Sequence, residues 1–302
     1  MTAGANRDAS ADTLPSPLLA AMPWVFVLIW STGFIVAKFG LPYAPPLTFL
    51  LLRYAGVLAV LIPIVILMRA PWPTGRFRQI AFAGILVQAG YLGGVWSAIK
   101  LGMPAGLAAL IVGMQPLLTA FAAPLIGETV RPRQWLGLML GLSGVALVVA
   151  SKITLTGLTW ESIGLGVFAL LSITAGTLYQ KRYCAHFDLR TGTAIQFAAS
   201  LLVTLPFAIA FEQLTPGFDS VDWTPHFVGA LLWSIFALSI GAIFLLFALI
   251  RKSAATRVTS LLYLTPPTTA IMAWIMFGEV FSIVGVTGMV LAVIGVAFVV
   301  RK

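Results

Sequence analysis

The sequence predicts an all-α polytopic membrane protein with ten transmembrane helices arranged as two inverted repeats of five. Three observations lead to this prediction. The chain is 60% hydrophobic and only 9% charged, with a mean hydropathy of +1.03. Long apolar runs recur along it, and its two halves share motifs at a nearly constant offset. A soluble protein carries roughly 25% charged residues, so this composition places the chain in a bilayer.

The apolar runs contain about 18 to 25 residues each, enough to cross a hydrocarbon core of roughly 30 Å as a helix. Ten such helices leave only short connectors and no room for a separate soluble domain. The polar segment 1–21 lacks the basic start and compact apolar core of a signal peptide, so we predict a disordered cytoplasmic tail. The predicted helices, numbered 1 to 10, span 22–39, 46–68, 79–99, 104–126, 132–150, 162–182, 190–211, 226–250, 255–277 and 281–300.

Composition also excludes several classes of chemistry. The single cysteine, Cys184, excludes an internal disulfide, and two histidines with one cysteine cannot form a metal cage, so we expect neither metal nor cofactor. A membrane protease would need a buried Ser-His pair or two buried aspartates, but His186 falls in a loop and His226 at a helix entry, so we expect no enzyme. The net charge is +9, but the basic residues form no continuous tract, which argues against binding of nucleic acid.

The basic residues instead indicate orientation. With a cytoplasmic N-terminus, fourteen of the eighteen lysines and arginines fall on the inside. The longest outside loop, EQLTPGFDSVDW, contains none. The positive-inside rule therefore predicts that both termini are cytoplasmic, in a bacterial inner membrane. The four basic residues left for the other side or the membrane are Lys38, Arg53, Lys100 and Lys152.

A repeat relates the two halves of the chain. An offset of 151 residues matches Gly127-Glu128 with Gly278-Glu279 and Pro116 with Pro267, and upstream an offset of 143 matches Lys38 with Lys181. The repeats are 22–150 and 162–300. Because five helices is an odd number, the second repeat must enter the membrane from the opposite side. Inverted repeats are typical of secondary transporters, in which two copies move about a central site to expose it alternately.

The repeated Gly-Glu pair has two interpretations. In an inverted repeat Glu128 and Glu279 lie about a bilayer apart, so they cannot form one paired-carboxylate site. The first interpretation is a turn, in which glycine ends one helix and Thr129 or Ser282 caps the next. The second is a gate at each end. No aspartate or glutamate lies deep in any predicted helix, so the usual carrier of a proton-coupled pump is missing.

Several motifs, in order and duplicated, resemble one known family. They are WSTGFIVAK in helix 1, a lysine followed by PP and Arg53 at helix 2, SAIKLGMPAGLAALIVGMQPLL across helices 3 and 4, and Gly-Glu before a glycine-rich helix 5. The chain resembles the drug/metabolite transporter superfamily of the EamA type, with two EamA domains. This resemblance implies ten helices around a central cavity and export of amino acids or other metabolites, whereas the substrate does not follow from the fold. Anions such as sugar phosphates, and drugs, remain alternatives.

A cavity within a bilayer should be lined by polar and aromatic side chains. Each such residue could equally serve helix packing or an interface. The candidates for the substrate pathway are Trp30, Ser31, Thr32, Arg53, Gln88, Tyr91, Trp96, Gln115, Ser172, Thr174, Tyr179, Ser239, Phe244, Ser260 and Tyr263.

Two further patterns occur at matching places in the repeats. Pro116 and Pro267 should kink helices 4 and 9, which marks either a substrate site or a static bend. Helices 5 and 10 carry Gly137-x-x-x-Gly141 and Gly288-x-x-x-Ala292, a spacing that lets helices approach closely. This spacing serves packing within a monomer or, as the resemblance implies, a homodimer through helices 5 and 10.

Arg53 lies seven residues after Pro46, roughly 10 Å along helix 2. An arginine facing lipid at that depth is unfavourable, although its side chain could extend towards the outer interface. Its counterpart in the second repeat is Gln196, and two polar residues at equivalent places favour a face turned inward. There Arg53 could bind carbonyl groups of helix 1 or a substrate carboxylate.

Overall fold

The computed structural model describes residues 16–103, 105–150, 158–184, 187–252, 255–277 and 282–300. These residues contain no β-strand and form fourteen α-helices. The helices are α1 (Ser16–Gly40), α2 (Pro46–Leu67), α3 (Phe77–Gly84), α4 (Tyr91–Lys100), α5 (Ala105–Gly113), α6 (Gln115–Ala122), α7 (Pro132–Ala150), α8 (Trp160–Tyr183), α9 (Leu189–Glu212), α10 (Pro225–Trp233), α11 (Ile243–Lys252), α12 (Ala255–Ser260), α13 (Thr265–Phe277) and α14 (Ile283–Val300).

Four shorter elements adjoin these helices, and three of them join one helix to the next without a loop. The segment π1, Ile85–Gly90, connects α3 to α4, and π2, Ser234–Ala242, connects α10 to α11. The 3₁₀ turn Ala123–Ile126 follows α6, and a second, Leu261–Leu264, joins α12 to α13. The helix α1 begins at Ser16, inside the segment predicted to be a disordered tail, because the apolar run that forms it starts at Leu18.

Six stretches of the described chain are long and apolar enough to cross a membrane, and the chain is an all-helical membrane protein. Two shorter apolar helices, Ala21–Gly33 and Leu110–Ile126, accompany them. Each of the six contains at least 18 residues, as a bilayer core requires. They are Pro46–Leu67, Phe77–Lys100, Trp160–Tyr183, Leu189–Glu212, Pro225–Arg251 and Ile283–Val300.

Departures from regular α-helix occur at matching places in the two halves. Adding the offset of 151 to Ile85–Gly90 gives 236–241, which lies inside π2. Likewise α5 ends at Gly113, directly before α6 with Pro116 in its first turn, and the 3₁₀ turn Leu261–Leu264 directly precedes α13 with Pro267. A proline in a first helical turn loses no intrahelical hydrogen bond, so each helix restarts where its proline is tolerated.

Helices that correspond in the two halves also make corresponding contacts. The first helix, α1, packs against α13, and its counterpart α8 packs against α5 and α6. Similarly, α1 contacts π2 and α10, and α8 contacts their counterparts π1 and α3. The two largest contacts, α2 with α9 and α7 with α14, join counterparts to each other. The same pairs of elements therefore meet when the two halves are exchanged, although α3 packs more extensively on α9 than α10 does on α2.

The closest helix packing joins α7 to α14 through glycine. A Cβ atom built on Gly144 would lie 2.5 Å from the Gly288 carbonyl oxygen, and one on Gly137 would lie 2.6 Å from the Gly295 carbonyl oxygen. Only backbones without side chains between them can approach so closely. The glycine faces of α7 and α14 are therefore occupied by contacts within one chain. The homodimer through predicted helices 5 and 10 stays a prediction, and it would have to use the other faces of these two helices.

Candidate functional site

A cavity of about 60 Å³ lies where helices from both halves meet. The first half contributes α1, α2, π1 and α4, and the second half contributes π2 and α11. A π segment frees backbone groups from the regular helical pattern, and such segments often occur at functional sites. The residues lining the cavity are Trp30, Gly33, Arg53, Val87, Gln88, Tyr91, Leu92, Val95, Trp96, Ile99, Leu238 and Ile243.

Arg53 is the positive charge of this cavity. Its side chain is only 4% exposed, and its Nε atom donates a hydrogen bond of 2.6 Å to Ser239 Oγ. The Ser239 hydroxyl in turn donates to the Ser234 carbonyl at 2.8 Å, five residues back in π2. Arg53 thus does not face lipid, and it binds a hydroxyl of the second half rather than a carbonyl of the first helix. Within the described chain no carboxylate pairs with it.

Gln88 supplies the amide of the same cavity. Its residue is fully buried, and neither its amide nitrogen nor its amide oxygen has a hydrogen-bond partner among the described residues. Its backbone carbonyl is held separately, because the Tyr54 hydroxyl donates to it at 2.9 Å. A buried amide without partners is unfavourable unless another group, such as water or a ligand, satisfies it.

Aromatic side chains form a further part of the cavity wall. Trp30, Tyr91 and Trp96 line the cavity. Two rings behind them support the tryptophans, with Phe26 centred 5.2 Å from Trp30 and Phe49 centred 4.9 Å from Trp96. The cavity therefore combines one cation and one amide with three aromatic side chains, which suits an amphipathic ligand carrying an acceptor group.

The structure brings Trp30, Arg53, Gln88, Tyr91 and Trp96 together and adds Ser239 as the partner of Arg53. The other predicted lining residues lie elsewhere. On α1, the Ser31 hydroxyl bonds to the Val27 carbonyl in its own helix, and Thr32 accepts a hydrogen bond from Trp233 Nε1.

On α8, the Thr174 hydroxyl bonds to the Leu170 carbonyl, and Ser172 packs where a Cβ on Gly90 would fall. The Tyr179 ring meets Phe82 edge to face, with ring centres 5.1 Å apart. These contacts are of the kind that join packed helices, and a place for these residues in the substrate pathway stays a prediction.

The predicted residues of the last helices also lie away from the cavity lining. The Ser260 hydroxyl bonds to the Arg257 carbonyl in α12. Tyr263 packs its ring against Gly141 of α7, where a Cβ would collide with it. Phe244 is half-buried against the hydrophobic core.

A second polar cluster lies between α6, α8 and α9. Gln115 Nε2 donates to Thr177 Oγ1 at 3.1 Å, and Gln196 Nε2 donates to Gln180 Oε1 at 2.8 Å. The sequence analysis did not select Gln180. Its spacing of three residues from Thr177, which places both on one helix face, was the signal that could have found it.

Charged side chains link neighbouring helices at both ends of the helix bundle. At one end, the Glu212 carboxylate accepts hydrogen bonds from the Leu47 and Thr48 backbone N–H groups, each 2.7 Å long, at the start of α2. At the other end, Lys181 Nζ donates to the Ile250 carbonyl at 2.8 Å and lies 4.0 Å from a Glu128 carboxylate oxygen. Carboxylates at a helix N-terminus are favourable, because the N–H groups there lack partners.

The two Gly-Glu segments are only partly described. Gly127 ends the 3₁₀ turn in a left-handed conformation, with φ of 78°, a conformation that glycine adopts readily. Glu279 lies outside the described residues. The Ser282 hydroxyl accepts a hydrogen bond of 3.0 Å from the Gly285 backbone and so caps α14.

A larger crevice of about 770 Å³ lies between α2, α4, α8 and α9. Its walls include Phe168, Phe207 and Phe211, which are all exposed on the outer surface of the helices. None of the predicted site residues lines it. Its apolar, outward-facing walls resemble a lipid contact more than an enclosed ligand site.

Comparison of the sequence with known proteins finds transporters. The sequence model of the EamA-like transporter family matches residues 19–150 and 160–301. A Salmonella typhimurium (strain LT2) protein described as a probable amino-acid metabolite efflux pump is 25% identical over 89% of this chain and 90% of its own length. The uncharacterized inner membrane transporter YedA of Escherichia coli (strain K12) is 28% identical over 88% and 85%.

Two further similarities extend over nearly the whole chain. The uncharacterized transporter YvbV of Bacillus subtilis (strain 168) is 26% identical over 96% of this chain and 93% of its own length. A solved crystal structure aligns with a TM-score of 0.77 at 20% identity, covering 93% of this chain and 96% of that chain. At that identity the structural match shows a shared fold alone.

Proposed function

Because this chain belongs to the EamA-like transporter family, a family of transporters rather than enzymes, we propose that it exports a small amphipathic metabolite by alternating access. Amino acids are the leading substrate class, and the proposed location is a bacterial inner membrane. The observation that carries the proposal is the cavity between the two halves, in which Arg53 and Gln88 face aromatic side chains.

The architecture proposed for this function is ten membrane crossings in two inverted repeats, 22–150 and 162–300. Its support is the exchange of contacts between the halves, in which α1 meets the α13 region as α8 meets the α6 region. The π segments at matching positions support it further. Two such halves, moving about their shared cavity, would open it first to one side and then to the other.

Amino acids are proposed because one relative is described as a probable amino-acid metabolite efflux pump. The alternative is an exchanger of anions such as sugar phosphates, which the positive charge of Arg53 favours. A cationic drug is the weaker candidate, since the same charge repels it and no acidic residue lines the cavity.

Efflux from loaded cells tests the proposed function. We expect cells that express the protein to lose a preloaded radiolabelled amino acid at least twofold faster than cells with an empty vector, and to grow at higher concentrations of toxic amino-acid analogues. Sugar phosphates and cationic drugs serve as the competing substrates. Faster accumulation of the solute in expressing cells would overturn the direction, and no flux of any of the three classes would overturn the function.

Membrane topology is a second prediction, based on the excess of basic residues on one side. We expect an impermeant maleimide added to whole cells to label Ser220→Cys in the proposed external loop, whereas Thr74→Cys should react only after permeabilisation. Both positions are exposed. Native Cys184 is buried, and burial raises the pKa of its thiol to about 11, so it should contribute little background. Labelling of Thr74→Cys but not Ser220→Cys in intact cells would reverse the topology.

A further inference from the structure

The cavity holds an unbalanced positive charge. Arg53 remains protonated at any physiological pH, is almost fully buried, and has one hydrogen bond within the described part of the chain, to the neutral Ser239. No aspartate or glutamate lines the cavity. A buried charge without a counter-charge is strongly unfavourable, and proteins retain such groups mainly where a ligand or ion pathway needs them. The cavity therefore suits an anionic ligand.

The neighbouring amide limits which anion fits. Gln88 lines the same cavity with both amide atoms unpartnered in the described chain. A carboxylate offers two oxygens, so one can accept from the planar guanidinium while the other accepts from the amide nitrogen. The cavity of about 60 Å³ has room for a few water molecules, or for a carboxylate group in their place.

The rest of the lining suits an apolar group rather than a second charge. Trp30, Tyr91 and Trp96 surround the space beside Arg53, and the other lining residues are glycine or aliphatic. No carboxylate is present there to pair with a substrate ammonium group. The space of about 60 Å³ holds the carboxylate end of a ligand, and its aromatic and aliphatic walls offer contacts to the adjoining carbon atoms but no partner for an amino group.

The second half does not repeat this arrangement. The residue equivalent to Arg53 is Gln196, whose amide nitrogen already donates to Gln180. The two glutamines are neutral, and one hydrogen bond already joins their amide groups, so this pair has no charge that would attract an anion. Among the described residues, the position equivalent to Arg53 in the second half therefore carries no charge.

We propose that Arg53 and Gln88 form a carboxylate-binding subsite, and that the transported solute is an apolar monocarboxylate, with or without an amino group. This inference rests on the proposed transport function, and it narrows the substrate class. According to this proposal, the protein recognises the carboxylate of an amino acid rather than its amino group.

Binding to the purified full-length protein in lipid nanodiscs tests the subsite without transport. Calorimetry would compare matched acids and amides: 3-phenylpropionate with its amide, L-phenylalanine and L-leucine with theirs, and acetate with acetamide. We expect at least one acid to bind, every acid that binds to be at least tenfold tighter than its amide, and removal of the amino group to change affinity less than tenfold.

Three variants complete the experiment. Arg53→Gln, which copies the second half, should weaken the acids at least tenfold and leave the amides unchanged, while Arg53→Lys should bind with intermediate affinity. Arg78→Gln is the matched control, since Arg78 is exposed on α3. Unchanged melting temperatures show that the variants fold. Acids bound no better than amides, acids unaffected by Arg53→Gln, or no acid bound at all would each overturn the subsite.

Flux measured in parallel separates this inference from the proposed function. Arg53-dependent binding of acids without flux would leave the subsite standing and remove transport. Flux that is equally fast for an acid and its amide would leave transport standing and remove the subsite.

Discussion

Replacing Arg53 with glutamine is expected to lower transport by at least tenfold at equal membrane abundance. Charge-assisted hydrogen bonds contribute about 1.5–3 kcal/mol each, and about 1.4 kcal/mol corresponds to a tenfold change. Arg53 is also tied to Ser239 of the second half, so the substitution loosens a contact that both halves share. Efflux of a labelled substrate from cells, normalised to the amount of protein in the membrane, measures this effect.

Two other substitutions at the same position separate charge from shape. Arg53→Lys keeps the charge but loses the planar, five-donor guanidinium, so we expect partial recovery relative to Arg53→Gln. Arg53→Leu removes both and should be as slow as Arg53→Gln or slower. Equal flux in Arg53→Leu and the wild type would show that the arginine has no part in transport.

Replacing Gly144 with valine is expected to abolish folding or reduce membrane abundance severalfold. The Cβ atom would lie 2.5 Å from the Gly288 carbonyl oxygen, and a backbone atom cannot rotate away as a side chain can. Relief requires α7 and α14 to separate, which costs about 3 kcal/mol by the upper range for overpacked cores. Thermal melting of the detergent-purified protein and quantitative blotting of membranes would measure it.

The matched control is Gly164→Val on α8. Gly164 is exposed, and a Cβ atom there would meet nothing within 4 Å. This variant should keep its abundance and melting temperature. Normal abundance of Gly144→Val, or an equal loss in both variants, would show that the α7–α14 contact is not as tight as the structure describes.

Several features of this protein follow from its sequence because they depend on composition and chain order. Apolar runs must be helical in a bilayer, since no water is present to satisfy the backbone. The helix breaks before Pro116 and Pro267 coincide with the places where proline removes a donor. Arg53 was also identified as a charged group that is unfavourable facing lipid, and Gln88 as one of the polar candidates for a cavity lining.

The sequence could not separate cavity residues from packing residues. Ser31 and Ser172 lie within predicted membrane helices just as Ser239 does, yet only Ser239 forms a hydrogen bond with Arg53 among the described residues. The difference is the rotation of each helix about its axis. That rotation depends on which neighbours it meets, and a helix with little amphipathic character gives no periodic signal for it.

By itself, therefore, the sequence determined that this chain is an all-helical, duplicated membrane protein of the EamA type, because hydrophobicity and repeated motifs are properties of the linear order. Only the tertiary structure decided which few residues converge on one cavity. It placed Arg53 of α2 beside Ser239 of π2, residues 186 positions apart, and it paired the glycines of α7 with those of α14. Contacts at that separation arise from helix packing, where small residues and matching surfaces, rather than local pattern, select the partner.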